Sequence, residues 1–559
     1  MNAAMAVTTK TPAIARQRRA DGLYDLVLPE RFNLAEYYLD EPASVHGAQR
    51  VALEVGEESR TYAELIEGSR RMAALLRRLG VRREERVLIT LPDGFDYADA
   101  FFGVLRAGAV FAMVNPLTKR EAFAEYLEYT NCRVALVHAD TLSEIGPAFD
   151  ESESCEHLVV FGGDPRTHAH VDAYEALAKE DAGGHLARTA HTAPDDLAGW
   201  LFTSGSTGSP KACVHTHRHF AYATETYAQD VVQYGPNDVC LGVPKLFFGY
   251  ATGTNLMFPL RFGGRAALFA ERSTPETLLD GIVRHRPTVL TAVPTSINAL
   301  LRHERIGAAD LSSLRVVLSA GEALPQSLAE EWLARTGTEI LDGIGSAELF
   351  HIYVTNRSGD VRPGSLGRVV DGYVARVVDD DGREVPHGEP GRLAVTGGST
   401  ALCYWANEAA SRATFAGDVC TSADVFRRDA EGYFFYEGRS DDLLKVSGIF
   451  VSPLEIENCL LAHSAVAEVC VVGREDDGGL TKACAFVVLA SGCCGDAALA
   501  QELALHTKKT LTPHKYPRWF EWVNELPKND RGKVDRKALR ARVTAANASA
   551  VRAAREVRP

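Results

Sequence analysis

No apolar run in the sequence approaches the ~18 residues of a helical membrane span, so no such span is expected. No C-x-x-C pair occurs, and the 11 cysteines are scattered and odd in number, which argues against a closed disulfide framework. Free, buried thiols in a cytoplasmic setting are the expectation. No G-x-S-x-G elbow occurs, which disfavours a serine hydrolase. His215, His217 and His219 alternate, but no H-E-x-x-H follows, which disfavours a zinc peptidase. No internal repeat is visible, and the one biased stretch is an Ala-rich end after Val543. Positive charge is also short: 60 Lys and Arg stand against 74 Asp and Glu, a net charge of −14. A surface with that balance does not coat nucleic acid or an anionic membrane.

What remains is a 559-residue chain with 46% hydrophobic and 24% charged residues, the balance of a folded protein with several structural units. Thr61 and Glu64 have capping-box spacing, and Leu65, Met72, Leu75, Leu76 and Leu79 follow on one helical face before Gly80. Apolar strands are expected at 86–90, 109–114, 133–137, 157–161, 289–293 and 315–319, with a helix over 101–106. Strands alternating with helices predict an α/β fold with parallel sheet. Near residue 365 the texture becomes β-rich, with a Gly382 turn between 376–378 and 383–385 and a strand over 393–396. A helix over 454–461 and strands over 466–472 and 483–489 then suggest a small α+β domain. The expected division is a disordered tail over 1–25, a large domain over 26–440, a small domain over 441–543, and a second tail over 544–559.

The most informative run is Leu201-Phe202-Thr203-Ser204-Gly205-Ser206-Thr207-Gly208-Ser209-Pro210-Lys211. Glycines let backbone N–H groups approach a phosphate, hydroxyls add donors, and Lys211 adds a charge. The spacing is not that of the P-loop. The run resembles the phosphate-binding loop of the acyl-adenylate-forming enzymes, which include acyl- and aryl-CoA ligases, peptide-synthetase adenylation domains and luciferases. The resemblance extends from about Phe32 to Arg540, with further motifs in the family's order.

Within that resemblance, Asp342-Gly343-Ile344-Gly345-Ser346-Ala347-Glu348 implies nucleotide contacts ending in Glu348 as a Mg²⁺ ligand. Ala347 stands where the family usually has a threonine, so Ser346 is the candidate replacement for that hydroxyl. Gly321, Glu322 and Ala323 resemble the segment beside the adenine. Asp424 resembles the aspartate that holds the ribose hydroxyls, and Arg439 a second ribose or phosphate contact. Lys533, in Pro527-Lys528-Asn529-Asp530-Arg531-Gly532-Lys533, resembles the lysine that enters the adenylation site, and Asp441 falls at the family's hinge. The implied catalytic set is Lys533, Glu348, Thr203 and Lys211.

The implied fold is α/β: a large adenylate-forming domain of two α/β sheets plus a β-rich subdomain, and a small mobile α+β C-terminal domain. The implied activity is ATP-dependent: a carboxylate attacks the α-phosphate, releases pyrophosphate, and the acyl group passes to a thiol with loss of AMP. Lys245 to Gly253 has no acid to hold an amino acid's ammonium, so an α-amino acid is disfavoured. Lys245 to Tyr250, with Leu349 to Ile352, resembles the benzoate-CoA ligase group. Phe248, Tyr250, Ala251, His351, Ile352 and Gly345 then form the implied pocket for a flat aryl acid. Lys445, Ser447, Gly448 and Arg518 are the implied CoA contacts. They are supported by a local excess of +7 between Lys508 and Arg542. A carrier protein as acceptor is the alternative, a luciferase-type oxygenase a distant third, and both monomer and homodimer stay open.

Overall fold

The computed structural model describes residues 14–162, 171–174, 185–204, 210–439, 444–446, 449–476, 480–511, 515–528 and 534–544. Gly205, Ser206, Thr207, Gly208, Asp441, Ser447, Gly448 and Lys533 lie outside them, as do most of the two expected tails and the expected boundary at 440/441.

Thr61 does cap the helix Tyr62–Arg78: its hydroxyl accepts from the Glu64 N–H, and the Glu64 carboxylate accepts from the Thr61 N–H at 2.7 Å. The apolar face of this helix packs on Phe95–Ala107, a helix that begins six residues before the sequence suggests. Asp96 and Asp99 break the apolar pattern there, but Asp99 is buried and paired with Arg60 at 2.8 Å. Phe95–Ala107 in turn packs on a seven-stranded sheet whose centre is parallel: Val110–Met113, Arg86–Thr90, Val134–His138 and His157–Phe161 lie side by side. One edge is antiparallel, because Leu197–Ser204 doubles back as Pro210–Thr216.

A nine-stranded sheet forms the second layer, with Val239–Gly242, Val289–Ala292, Val316–Ser319 and Ile340–Gly345 parallel at its centre. The largest apolar core, including Phe111, Phe220, Phe258 and Phe350, fills the space shared by the two sheets. A β-rich unit follows, in which Gly391–Thr396 pairs with both Val374–Val378 and Val419–Arg428. The Gly382 turn forms with a single Val378–Glu384 bridge; the extended partner of Val374–Val378 is Gly391–Thr396. The C-terminal part carries Pro453–Leu461, Ala497–Thr510 and a three-stranded sheet of Val466–Glu475, Thr481–Leu489 and Trp519–Trp522.

The disordered start expected over 1–25 is corrected from residue 14 onward. Arg16–Arg18 and Tyr24–Leu26 form a hairpin, and Arg16 reaches Asp230 at 2.5 Å and the Glu225 carbonyl at 2.7 Å. An ion pair 214 residues distant in sequence fixes this segment, so local composition alone does not reveal it.

Candidate active site

The hairpin Leu197–Ser204/Pro210–Thr216 aligns Thr203 opposite Lys211 and thereby holds both ends of the Ser/Thr/Gly run together. A third chain segment, 402–405, adds to the free edge. The Val214 N–H donates to the Cys403 carbonyl at 3.0 Å, Leu402 N–H to Val214 at 2.9 Å, and Trp405 N–H to Ala212 at 2.9 Å. This pairing places Tyr404, 3% exposed, beside two expected site residues. Its hydroxyl donates to Glu348 Oε1 at 2.6 Å, and Lys211 Nζ sits 4.0 Å above the centre of its ring.

The turn bearing Glu348 is tied down by its backbone as well. The Ala401 N–H donates to the Glu348 carbonyl at 2.8 Å, and Ser399 Oγ to the Leu349 carbonyl at 2.9 Å. His215 Nε2 lies 2.7 Å from the Ala347 carbonyl. Burial pushes His215 down to about 4, so the neutral ring carries its proton on Nε2 and donates it there. The charges of Glu348 and Lys211 are both felt nearby: burial first and then Glu348 push the Cys420 thiol up, and Lys211 opposes them.

Of the expected nucleotide set, Gly321, Glu322, Ala323, Gly343, Ile344, Gly345 and Asp424 line one open cleft of about 710 Å³. Gly321 adopts φ +90°, a conformation that favours glycine. Glu322 accepts from the Thr295 N–H at 3.0 Å and its hydroxyl at 2.7 Å, fixing the start of the helix Pro294–Arg302. The Asp424 backbone pairs in register with Arg439 on the neighbouring strand.

Asp342 departs from the expected nucleotide set. It is 5% exposed, is not among the residues that line the cleft, and accepts from Ser319 Oγ at 2.7 Å. Burial pushes its carboxyl up to about 8, which favours the protonated acid at neutral pH.

The opposite wall of the cleft comes from the C-terminal part, through Pro453, Leu454, Glu457, Val534 and Arg536. Arg536 grips Glu457 with two hydrogen bonds, at 2.6 and 2.7 Å, and the Val471 carbonyl at 2.8 Å. This fork anchors the chain three residues beyond Lys533. Neither residue stood out in the sequence, where Arg536 is one of many basic residues.

Of the residues expected to form the aryl pocket, Gly345 lines the cleft and abuts the His351 backbone. Ala251 and Ile352 are buried at 0% and 2%, while Phe248 and Tyr250 are half-buried. The loop before Tyr250 is pinned where the Leu246 N–H donates to Asp93 Oδ1 at 3.0 Å and Lys245 Nζ to the Phe269 carbonyl at 2.6 Å. His351 is 2% exposed, with Nε2 3.1 Å from the Tyr250 carbonyl, and burial pushes it down to about 3. Its ring lies among Phe258, Tyr227 and Tyr250, with centroids 4.6, 5.0 and 5.4 Å away. A Cβ on Gly253 would stand 2.5 Å from that ring, so glycine is required there. His351 Nδ1 and Tyr250 Oη are both buried without a hydrogen-bond partner among the described residues.

Among the expected CoA contacts, Lys445 falls on the strand Leu444–Val446. Arg518 is exposed, and its guanidinium and Lys508 Nζ lie 4.5 and 4.0 Å from the ring of Tyr516. That is a basic cluster around an aromatic face, suited to a phosphorylated adenosine.

Comparison with known proteins agrees with this geometry. The AMP-binding enzyme family model matches residues 39–405, and the AMP-binding enzyme C-terminal domain model matches 455–533. The benzoate–CoA ligase of Thauera aromatica is 40% identical over 92% of this chain and 97% of its own. The 4-hydroxybenzoate–CoA/benzoate–CoA ligase of Rhodopseudomonas palustris is 36% identical over 91% of this chain and 94% of its own. Among solved structures, an anthranilate CoA ligase in complex with anthranoyl-AMP superimposes with a TM-score of 0.88 and 34% identity over 93% of this chain and 99% of that one. A benzoate CoA ligase from Burkholderia xenovorans does so at 0.84 and 39%, over 91% of this chain and all of that one. With this fold, a large N-terminal domain followed by a small C-terminal one, the chain belongs to the AMP-binding enzyme family.

Proposed function

We propose that the protein is an ATP-dependent, AMP-forming ligase that joins a small aryl acid, benzoate or a hydroxyl- or amino-substituted benzoate, to CoA. The observation that carries this reading is a juxtaposition. Gly345, which lines the cleft, is followed within three residues by Glu348 of the Lys211–Tyr404–Glu348 cluster, and it abuts the backbone of His351, whose ring packs on Tyr250 and Gly253 of the acid-free aromatic stretch Lys245 to Gly253.

A carboxylate is a poor acyl donor, because its resonance-stabilised anion would have to expel oxide. Attack on the α-phosphate of ATP, with pyrophosphate leaving, converts it to an acyl-AMP with a good leaving group. Lys211 contributes positive charge at the foot of the phosphate hairpin, and Lys533 delivers a second ammonium from the C-terminal domain. Asp424 and Arg439 hold the ribose, Thr203 and Ser204 with Gly205, Ser206, Thr207 and Gly208 wrap the phosphates, and Gly321 to Ala323 flank the base. Attack by the CoA thiol on the acyl carbon then expels AMP, with Lys445, Ser447, Gly448 and Arg518 steering the acceptor. A rotation at Asp441 exchanges the two configurations.

The donor set suits a Mg²⁺ ion. Glu348 is half-buried, Tyr404 occupies only Oε1, and a hard cation takes one carboxylate oxygen together with phosphate oxygens. When bound it would neutralise charge on the phosphates.

No helix among the described residues is long and apolar enough to cross a membrane. The cysteines are free, including Cys132 and Cys155 with sulfurs 3.9 Å apart, in keeping with a reducing cytoplasm. The test is AMP release with benzoate, hydroxybenzoates and 2-aminobenzoate, each with CoA or with a carrier protein. Aryl acid-dependent turnover with CoA is expected. Turnover with a carrier protein and none with CoA would overturn the assignment.

A further inference from the structure

Tyr404 touches both charged groups of the phosphate end of the site, yet its hydroxyl and ring are used in different ways. The hydroxyl meets the Glu348 carboxylate at its edge, while the ring offers its electron-rich face to the Lys211 ammonium. Lys211 and Glu348 form no direct ion pair among the described residues, although both act electrostatically on Cys213 and Cys420. A lysine and a glutamate this close would ordinarily collapse onto each other and be lost to a ligand. The phenol separates them. The segment that carries it is fixed by three backbone hydrogen bonds to Pro210–Thr216, so the separator is rigid.

We infer that Tyr404 is a positioning residue for the phosphate–metal end of the site. Its hydroxyl aims one oxygen of Glu348 and leaves the other for a divalent cation. Its ring keeps Lys211 off that carboxylate and directed to phosphate. The inference rests on the proposed function only in taking this end of the cleft as the nucleotide's phosphate end.

The two halves separate by substitution. Tyr404→Phe keeps the ring and deletes the hydroxyl; Tyr404→Leu deletes both. Mn²⁺ binding to the full-length protein with ATP and no aryl acid, followed by electron paramagnetic resonance, reads the metal without turnover. Tyr404→Phe should weaken Mn²⁺ on the order of 10-fold, as loss of a group that orients a metal ligand does. It should leave metal-free ATP affinity and CoA thiolysis of preformed aroyl-AMP unchanged. Tyr404→Leu should also weaken metal-free ATP, because Lys211 then closes on Glu348. In a Glu348→Gln background the Tyr404→Phe effect on Mn²⁺ should vanish, an outcome that a packing role would not produce.

Unchanged Mn²⁺ affinity in Tyr404→Phe overturns the inference alone. Parallel loss of melting temperature and of both half-reactions makes Tyr404 a packing residue and also overturns it. A wild-type chain that binds no Mn²⁺ with ATP overturns both the phosphate site and this inference.

Discussion

Removing the Tyr250 hydroxyl should change which aryl acids the protein prefers. Tyr250 Oη is buried without a partner among the described residues, as is Nδ1 of the neighbouring His351, whose ring centroid is 5.4 Å from that of Tyr250. A buried polar atom that makes no hydrogen bond costs about 1–3 kcal/mol. In the proposed pocket, unsubstituted benzoate would leave both atoms unsatisfied, whereas a ring hydroxyl or amino group directed at Tyr250 would meet its Oη. Tyr250→Phe removes the unsatisfied oxygen while keeping the ring. The ratio of kcat/KM for the best substituted acid to that for benzoate should therefore fall by roughly 5- to 150-fold, the same 1–3 kcal/mol as a rate ratio. Benzoate itself should be unchanged or improved, and the ligand-free melting temperature unchanged or raised. The assay is CoA-dependent AMP release over benzoate, the three hydroxybenzoates and 2-aminobenzoate. The acid with the largest loss identifies the ring position facing Tyr250. An unchanged ratio would place the hydroxyl outside the pocket. Equal losses for benzoate and the substituted acids would make Tyr250 a packing residue, and either result refutes the reasoning.

Lys533→Ala should depress aroyl-AMP formation by on the order of 10²-fold or more and leave thiolysis of preformed aroyl-AMP nearly unchanged; half-reactions measured by quenched flow with equal losses would contradict its assignment. The Asp342 carboxyl, pushed by burial up to about 8, makes stability depend on pH. Between the ordinary aspartate range and about 8, the unfolded chain is ionised there while the folded chain keeps its proton, so stability falls as pH rises, by up to about 1.4 kcal/mol per unit. Asp342→Asn abolishes that slope. From pH 5.5 to 7.5 its stability relative to the wild type should rise by up to about 2.7 kcal/mol in urea unfolding, and a constant difference would refute the neutral carboxyl.

What was legible in the sequence is what depends on neighbours in the chain. The capping pair Thr61 and Glu64, the apolar strands and the run from Thr203 to Lys211 all carry their signal within a dozen residues. What was illegible depends on distant partners. Only the second half of the helix Phe95–Ala107 is legible, because Asp99 reads as exposed until Arg60 pairs with it. The hairpin at Arg16 waits for Asp230. Tyr404 is the clearest case: within Leu402-Cys403-Tyr404-Trp405 nothing local sets it apart from its apolar neighbours. It acquires its place only when that segment bonds along Pro210–Thr216 and sets its hydroxyl against Glu348, 56 residues away.

The net charge follows the same logic. A total of −14 excludes a broadly basic surface, yet the last 52 residues carry 14 Lys and Arg against 5 Asp and Glu. Two of those cations, Lys508 and Arg518, are gathered onto Tyr516, and a third, Arg536, is spent on Glu457 at the cleft wall. Charge that composition counts as equivalent is thus divided by the fold into an exposed share, which we propose meets the phosphorylated acceptor, and a share locked into the scaffold. Removing Arg518 should therefore affect the acceptor step, whereas removing Arg536 strands a nearly buried Glu457 and loosens the segment that leads to Lys533.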